Sequence, residues 1–190
     1  EAAFYDYNIL TGLETTLCVS QRPPFNLPWP HPTNGYYRVQ ARATNDPQQV
    51  IPSNPAIIAV RPANDDIANS MVLQGTNAAW TADFSAATRV KSDPKVAKIF
   101  HDDFDGSTLW YTWTAPADGA VTITCSNWTI GMAVYTGKAG ALKTVMTPTY
   151  DYQDRPGQFQ AKAGVTYQIL LSDRYPASAP SHGDLSLSLQ

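Results

Sequence analysis

Apolar and polar residues alternate with a period of two along much of this chain. In residues 35–43, Tyr37, Val39 and Ala41 alternate with charged or polar residues. Successive side chains of a β-strand point to opposite faces, so this pattern is typical of a strand with one buried face. The alternation recurs at residues 109–113, 121–125, 165–171 and 185–189, with turn-forming residues between these segments. Only residues 94–100 indicate a helical turn, and the sequence therefore predicts an all-β fold of antiparallel sandwich or barrel type.

A polar segment at residues 61–66 marks a boundary between two parts of the chain. A strand-like run at residues 56–60 ends there, and a new apolar run begins at Met71. We therefore predict two β-sandwich modules, at residues 1–62 and 63–190, and no internal repeat relates them.

Composition excludes two kinds of partner. Of the 190 residues, 43% are hydrophobic and 15% are charged, which is enough apolar material for a core. The net charge of −3 provides no basic surface for nucleic acid. No run approaches the ~18 apolar residues of a membrane span.

Because no leader pattern follows Glu1, we expect either a removed leader or a longer parent protein.

The end of the first module has the pattern of a strand pair. It consists of Tyr37-Arg38-Val39-Gln40-Ala41, then Asn45-Asp46, then Ser53-Asn54-Pro55 and a run at residues 56–60. These residues resemble the last hairpin of a fibronectin type III domain, which is an immunoglobulin-like sandwich. Residues 4–10 and 15–19 would then be two middle strands.

The first sandwich is predicted to be incomplete. A fibronectin type III domain has about seven strands, and the first two have no sequence here to form them. Sheets rarely leave an edge and an apolar face bare. The missing strands would come from a preceding segment of the parent chain, from another copy of the protein, or from a region absent from this chain. A truncated fragment or a less regular small domain is the alternative.

The second module has a longer series of motifs. In chain order they are Leu109-Trp110-Tyr111-Thr112-Trp113-Thr114-Ala115-Pro116, Gly119, and residues 121–123, 133–137, 159, 163–169 and 185–189. Over residues 64–190 this series resembles the bacterial pre-peptidase C-terminal domain. The resemblance implies a jelly-roll β-sandwich outside the cell, a non-catalytic module that helps secretion, adhesion, substrate attachment or assembly. Members of that family often have a pair of acidic residues in a polar turn at this place in the chain. Here the corresponding segment is residues 149–154, Thr-Tyr-Asp-Tyr-Gln-Asp, and this difference counts against a cation site there.

Acidic residues provide the candidates for metal ligands. They are Asp102, Asp103 and Asp105 in one polar segment, and Asp65 and Asp66 at the module boundary. Calcium requires several oxygen ligands, but the first segment lacks the Gly and the final Glu of an EF-hand loop. We predict a solvated loop there and a simple turn at the boundary, with Ca²⁺ binding as the alternative for both. No other cofactor is predicted.

Aromatic residues in predicted loops are the candidates for ligand binding. Exposed rings stack on sugars or anchor protein interfaces. The candidates are Trp80, Trp128, Tyr150 and Tyr152. Asn127 begins an Asn-Trp-Thr glycosylation acceptor. Trp110 is expected on the sheet face opposite Tyr111, covered by the neighbouring module or by a partner.

Signatures of catalysis are lacking. The sequence contains no GxSxG nucleophile elbow, no Cys/His cluster of zinc-site spacing and no Gly-rich phosphate loop. Cys18 and Cys125 lie far apart in apolar alternation and are predicted to be buried free thiols. We therefore predict that the protein is not an enzyme.

These observations lead to two hypotheses about function. The first is an extracellular or cell-surface structural protein, a filament or matrix subunit that self-associates by strand donation from a neighbouring chain. The second is an accessory module from the C-terminal part of a secreted hydrolase, which binds a polysaccharide or protein surface through its loop aromatics.

Overall fold

Strands dominate both parts of the chain. The computed structural model describes residues 1–22, 29, 32–46, 49–94, 106–150, 156–173 and 182–190. Within these ranges the regular structure is β-strand, apart from a short 3-10 helix at Ile67–Asn69. The predicted all-β class is confirmed, whereas residues 95–100 of the predicted helical turn lie outside the described ranges. The chain divides into two compact units, which we call unit 1 (Glu1–Arg61) and unit 2 (Pro62–Gln190).

Unit 1 is one antiparallel sheet of five strands. They are β1 (Ala2–Asn8), β2 (Glu14–Ser20), β3 (Gly35–Asp46), β4 (Gln49–Pro52) and β5 (Ala56–Val60). The order across the sheet is β2-β1-β3, and β4 and β5 then lie one after the other along the far edge of β3. Within the described residues of unit 1, no second sheet packs on either face.

The β1–β2 turn is specified by its own side chains. The Asn8 side-chain oxygen accepts hydrogen bonds from the backbone N–H groups of Leu10 and Thr11. Gly12 follows with a φ of +71°, a left-handed conformation that glycine adopts without strain. These contacts fix the hairpin that forms one wall of the cavity described below.

Unit 2 is a sandwich of two sheets. Its strands are β6 (Met71–Leu73), β7 (Asn77–Asp83), β8 (Thr108–Thr114), β9 (Gly119–Cys125), β10 (Ile130–Thr136), β11 (Lys143–Tyr150), β12 (Gly157–Ala161), β13 (Thr166–Asp173) and β14 (His182–Leu189). One sheet has the order β11-β10-β13-β8-β6 and the other β12-β9-β14-β7. Every pairing is antiparallel except that of β6 with β8.

The core of unit 2 comes from the alternation seen in the sequence. Alternate residues of β8, β9, β13 and β14 form one buried cluster between the sheets. Its most completely buried members include Trp113, Val121, Ile123 and Ile169, each with 0% exposure. Interdigitation of two inner faces is the usual way in which stacked sheets make a core.

A second buried cluster lies on the outer face of the β8–β13–β10 sheet. It consists of Trp110, Ala133, Tyr135 and Leu170, with Ile67 and Leu142 packed against it. Trp110 therefore lies on the face opposite Tyr111, as predicted, but residues of unit 2 itself cover it. No neighbouring module or partner is needed to bury this ring.

Asp93 anchors this outer cluster through hydrogen bonds. Its carboxylate accepts from the Trp110 indole N–H at 3.2 Å and from the Thr108 hydroxyl at 2.6 Å. It also accepts from the backbone N–H of Val90. All three donors are thereby satisfied around a buried carboxylate.

Replacing Asp93 by Ala should destabilise unit 2 by about 2 kcal/mol, because buried donors lose their acceptor. Thermal unfolding followed by near-UV circular dichroism measures this change. Asp93→Asn, which keeps an acceptor oxygen, is the matched control and should lose less stability. An unaltered melting temperature for Asp93→Ala would contradict the role given to this carboxylate.

The stability of unit 2 should fall at alkaline pH because of Tyr111. Burial raises the pKa of this phenol above its ordinary value. As pH rises past the unfolded pKa, the unfolded chain ionises first, so stability is lost until the folded pKa is reached.

Denaturant unfolding between about pH 9 and 11 should therefore show a smaller loss of stability for Tyr111→Phe than for the wild type. Tyr36→Phe is the control, because Tyr36 is 41% exposed. The loss should not vanish, since burial also raises the pKa of Tyr135. Identical pH slopes for Tyr111→Phe and the wild type would refute this assignment.

Candidate functional site

Two of the acidic residues that the sequence proposes as metal ligands, Asp65 and Asp66, are bonded to groups of the chain itself. Asp65 accepts hydrogen bonds from the backbone N–H and the hydroxyl of Thr88. Asp66 accepts from the N–H of Ala68 and caps the short 3-10 helix. Both contacts fit the turn interpretation. Asp102, Asp103 and Asp105 lie outside the described residues, and calcium binding stays a prediction.

Among the described residues, no group of three or more His, Cys, Asp or Glu side chains could hold a metal ion. Cys125 is buried, Cys18 is half-buried, and neither forms a disulfide.

The predicted ligand-binding aromatics have different surroundings. Trp80 packs against the core of unit 2, with its ring centroid 5.4 Å from that of Tyr111. Trp128 is 48% exposed in the turn between β9 and β10. Tyr150 is the last residue of β11, and Tyr152 lies outside the described residues. Trp80 is thus part of the packing, whereas ligand binding by the others stays a prediction.

Asn127 organises the same β9–β10 turn. Its side-chain N–H donates to the carbonyl of His182, and its side-chain oxygen accepts from the N–H and hydroxyl of Thr129. The Asn-Trp-Thr sequence therefore has a structural role, while its glycosylation stays a prediction.

An apolar strip that sequence reasoning missed lies along one edge of the unit 1 sheet. It consists of Val50 and Ile51 of β4 and Ile57 and Ile58 of β5, and we call it the apolar edge. Their exposed fractions are 54%, 48%, 63% and 38%. The sequence predicts that residues 56–60 form the closing strand of a sandwich, in which they would be buried rather than exposed.

The register places this apolar edge on both faces of the sheet. Ile58 lies opposite Tyr37, whereas Ile57 lies opposite Arg38 on the other face. Directly opposed residues of an antiparallel pair share a face. A partner that wraps the edge would therefore contact aliphatic side chains on either side.

One face of the unit 1 sheet is covered by cation–π contacts. The guanidinium of Arg38 lies 4.8 Å from the centre of the Tyr7 ring, and that of Arg42 lies 4.1 Å from the Tyr5 ring. Arg42 also forms two hydrogen bonds with Glu14, at 2.7 and 3.0 Å. This hydrogen bonding lowers the pKa of Glu14. The pair is exposed, so its contribution to stability is small.

The opposite face of that sheet contains a cavity of about 450 Å³. We call it the Asp6 cavity. Its described lining residues are Asp6, Asn8, Thr11, Leu13, Thr15, Thr16, Leu17, Trp29, Pro32, Thr33 and Tyr37. Asp6 is the only charged side chain among them, and it is 7% exposed.

Trp29 holds the Asp6 carboxylate from above the sheet. Its indole N–H donates to Asp6 Oδ2 at 3.0 Å, and its ring packs edge-on against Tyr37 with centroids 4.9 Å apart. The Tyr37 hydroxyl donates to the carbonyl of Thr33 at 2.9 Å. A carboxylate, an indole and a phenol thus meet at one end of the cavity.

Replacing Trp29 by Phe should destabilise unit 1 by about 1 to 3 kcal/mol, because the buried Asp6 carboxylate loses its donor. Denaturant unfolding followed by far-UV circular dichroism measures the change. Trp128→Phe, at a half-exposed position in unit 2, is the control with the same substitution. If the two variants unfold at the same midpoint as the wild type, the Trp29–Asp6 bond does not contribute as stated.

Comparison with known proteins gives no family assignment. No protein-family model matches the chain, and no curated protein matches it. None of the helices in the described residues is long and apolar enough to cross a membrane.

The solved structures that show similarity include three periplasmic inhibitors of g-type lysozyme. The Aeromonas hydrophila protein is 17% identical, with 64% of this chain and 96% of that chain covered and a TM-score of 0.40. The Salmonella Typhimurium protein is 10% identical, with 64% and 98% covered and a TM-score of 0.39. A mutant of the Escherichia coli protein is 14% identical, with 64% and 97% covered and a TM-score of 0.37. At these values the similarity concerns the β-rich fold and carries no argument about function.

The prediction of a filament or matrix subunit completed by strand donation is wrong. Trp29 packs against Tyr37 on the face of the unit 1 sheet that this prediction leaves bare for a donated strand, so the chain itself covers that face there. The hydrolase accessory module is not matched either.

Proposed function

We propose that the chain is an exported, non-catalytic protein that binds another protein through the apolar edge of unit 1. The observation that carries this proposal is the exposure of Val50, Ile51, Ile57 and Ile58 along two consecutive edge strands. Contiguous exposed apolar side chains on a strand edge are typical of an interaction surface.

The energetics favour a protein partner over a sugar. Burial of apolar surface contributes roughly 25 cal/mol per Å², and aliphatic side chains provide the surface for it. A sugar site would instead use flat aromatic rings, and the residues of the apolar edge are all aliphatic. Branched aliphatic residues on both faces of the edge suit an apolar groove or ridge of a protein.

The absence of catalysis and the location outside the cytoplasm belong to the proposal. The first is supported by Asp65 and Asp66, whose carboxylates accept hydrogen bonds within a turn and a helix cap. The second is supported by the resemblance of residues 64–190 to the bacterial pre-peptidase C-terminal domain, which remains a prediction.

Replacing Ile57 by Lys should abolish partner binding, because a charge at a 63% exposed edge position opposes burial. Wild-type and variant proteins would be used as bait in an extracytoplasmic fraction of the source cells, with retained proteins measured by quantitative mass spectrometry. We expect the retained amount of the specific partner to fall at least tenfold. Such a fall corresponds to a loss of ~1.4 kcal/mol or more of binding free energy, as befits the loss of one side chain that anchors the interface. Binding of a purified g-type lysozyme would be measured in the same way, because the three structures compared above are inhibitors of that enzyme.

Val72→Lys is the matched control, because Val72 is 65% exposed on β6 of unit 2. It should retain the partner as the wild type does. Equal retention by Ile57→Lys and the wild type would refute the proposal. If light scattering instead shows copies of the chain associating through Ile57, the partner is not a different protein.

A further inference from the structure

The Asp6 cavity has the size of a site for a small ligand or a single side chain. Ligand pockets measure about 300 to 1,000 Å³, and this cavity of about 450 Å³ falls within that range. One water occupies ~30 Å³ in the liquid, so the space far exceeds what a single water fills. It lies within unit 1 and does not involve the apolar edge.

Most polar side chains that line the cavity are already engaged in the fold. The Asn8 oxygen accepts from two backbone N–H groups of the β1–β2 turn, and the Thr11 hydroxyl accepts from the N–H of Leu13. The hydroxyls of Tyr37 and Thr33 bond to each other at 2.6 Å. These groups form hydrogen bonds within the walls of the cavity, so they have less capacity to form hydrogen bonds with a ligand.

Asp6 is different, because its carboxylate has one hydrogen bond in the described structure. Trp29 donates to Oδ2. An ionised carboxylate can accept about four hydrogen bonds through two oxygens. The side chain is more than nine-tenths buried and lines the cavity, so its remaining acceptor capacity is available to a ligand there.

The basic residues of the β3 strand are on the wrong face to neutralise Asp6. Asp6 lies opposite Val39 in the β1–β3 register, whereas Arg38 lies opposite Tyr7 and Arg42 opposite Ala3. Both arginines are held by tyrosine rings on the other face. No described residue forms an ion pair with Asp6, so among the described residues this buried carboxylate has no cationic partner. A carboxylate that carries its charge when buried is costly unless it is paired.

Aromatic rings beside the carboxylate add to the selectivity for a cation. Trp29 and Tyr37 both line the cavity. The face of an aromatic ring attracts a guanidinium or ammonium group within about 6 Å of its centre. Leu13 and Leu17, also in the lining, can contact the methylene groups behind such a head.

We infer that the Asp6 cavity binds a guanidinium or ammonium group on an aliphatic chain. The Asp6 carboxylate pairs with the cation, the Trp29 and Tyr37 rings flank it, and the leucines contact its stem. The same head group occurs on an arginine or lysine side chain of a polypeptide and on a free amino acid.

The test is titration of the full chain with N-acetyl-L-arginine amide, followed by the indole N–H resonance of Trp29 in ¹⁵N-labelled protein. The resonance is assigned by its loss in Trp29→Phe. We expect saturable binding in about the millimolar range, as befits a ligand of this size. N-acetyl-L-citrulline amide, a neutral molecule of similar shape, should bind at least about tenfold more weakly.

Asp6→Asn should weaken binding of the arginine probe by at least about tenfold, because the charge is lost while an acceptor for Trp29 remains. Asp118→Asn, an identical change at an exposed turn of unit 2, is the matched control and should bind as the wild type does. The citrulline comparison needs no variant, so it decides the matter even if Asp6→Asn fails to fold.

Three results would overturn the inference. They are equal binding of the arginine and citrulline probes, equal binding by Asp6→Asn and the wild type, and saturation by N-acetylglucosamine without any response to the arginine probe. Tighter binding of free L-arginine than of the amide probe would identify a free amino acid as the source, and the reverse would identify a polypeptide side chain. Ile57→Lys should bind the probe normally, so failure of this inference is distinguishable from failure of the protein-binding proposal.

Discussion

A β-sheet has two faces and two edges, and each must be covered or made compatible with water. Unit 2 meets this constraint with a second sheet on one side and with the Trp110 cluster on the other. Asp93 makes the outer cover possible, since it satisfies the polar atoms that Trp110 and Thr108 bring into the interior. Both faces of strand β8, which lies between β13 and β6, are consequently buried, and this explains why large apolar side chains point to both of its faces.

Unit 1 meets the same constraint with a single sheet. Arginine and tyrosine side chains cover one face, where the charged heads remain in contact with water. On the other face Trp29 bonds to Asp6 and packs on Tyr37, but it leaves a cavity beside them. The edge formed by β4 and β5 is covered neither by charged side chains nor by a packed aromatic ring. The candidate binding features of the protein are therefore the places where the covering of this sheet is incomplete.

Much of the fold could be predicted because strand alternation is a local signal. The side-chain period of two fixes which residues share a face, and so it placed Trp110 and Tyr111 on opposite faces before any contact was known. The candidate sites could not be predicted in this way. Trp29 is 23 residues from Asp6 along the chain, and no local pattern relates a loop indole to a strand carboxylate.

By itself the sequence determined the all-β class, the strands of β8, β9, β13 and β14, and the faces to which their residues belong. Only the tertiary structure decided which apolar strands are buried. The runs at residues 56–60 and 109–113 are both rich in apolar residues, yet the first is exposed at an edge and the second is buried between β13 and β6. The physical reason is that burial depends on what packs against a strand, and that partner is set by sheet order and long-range contacts rather than by the residues of the strand.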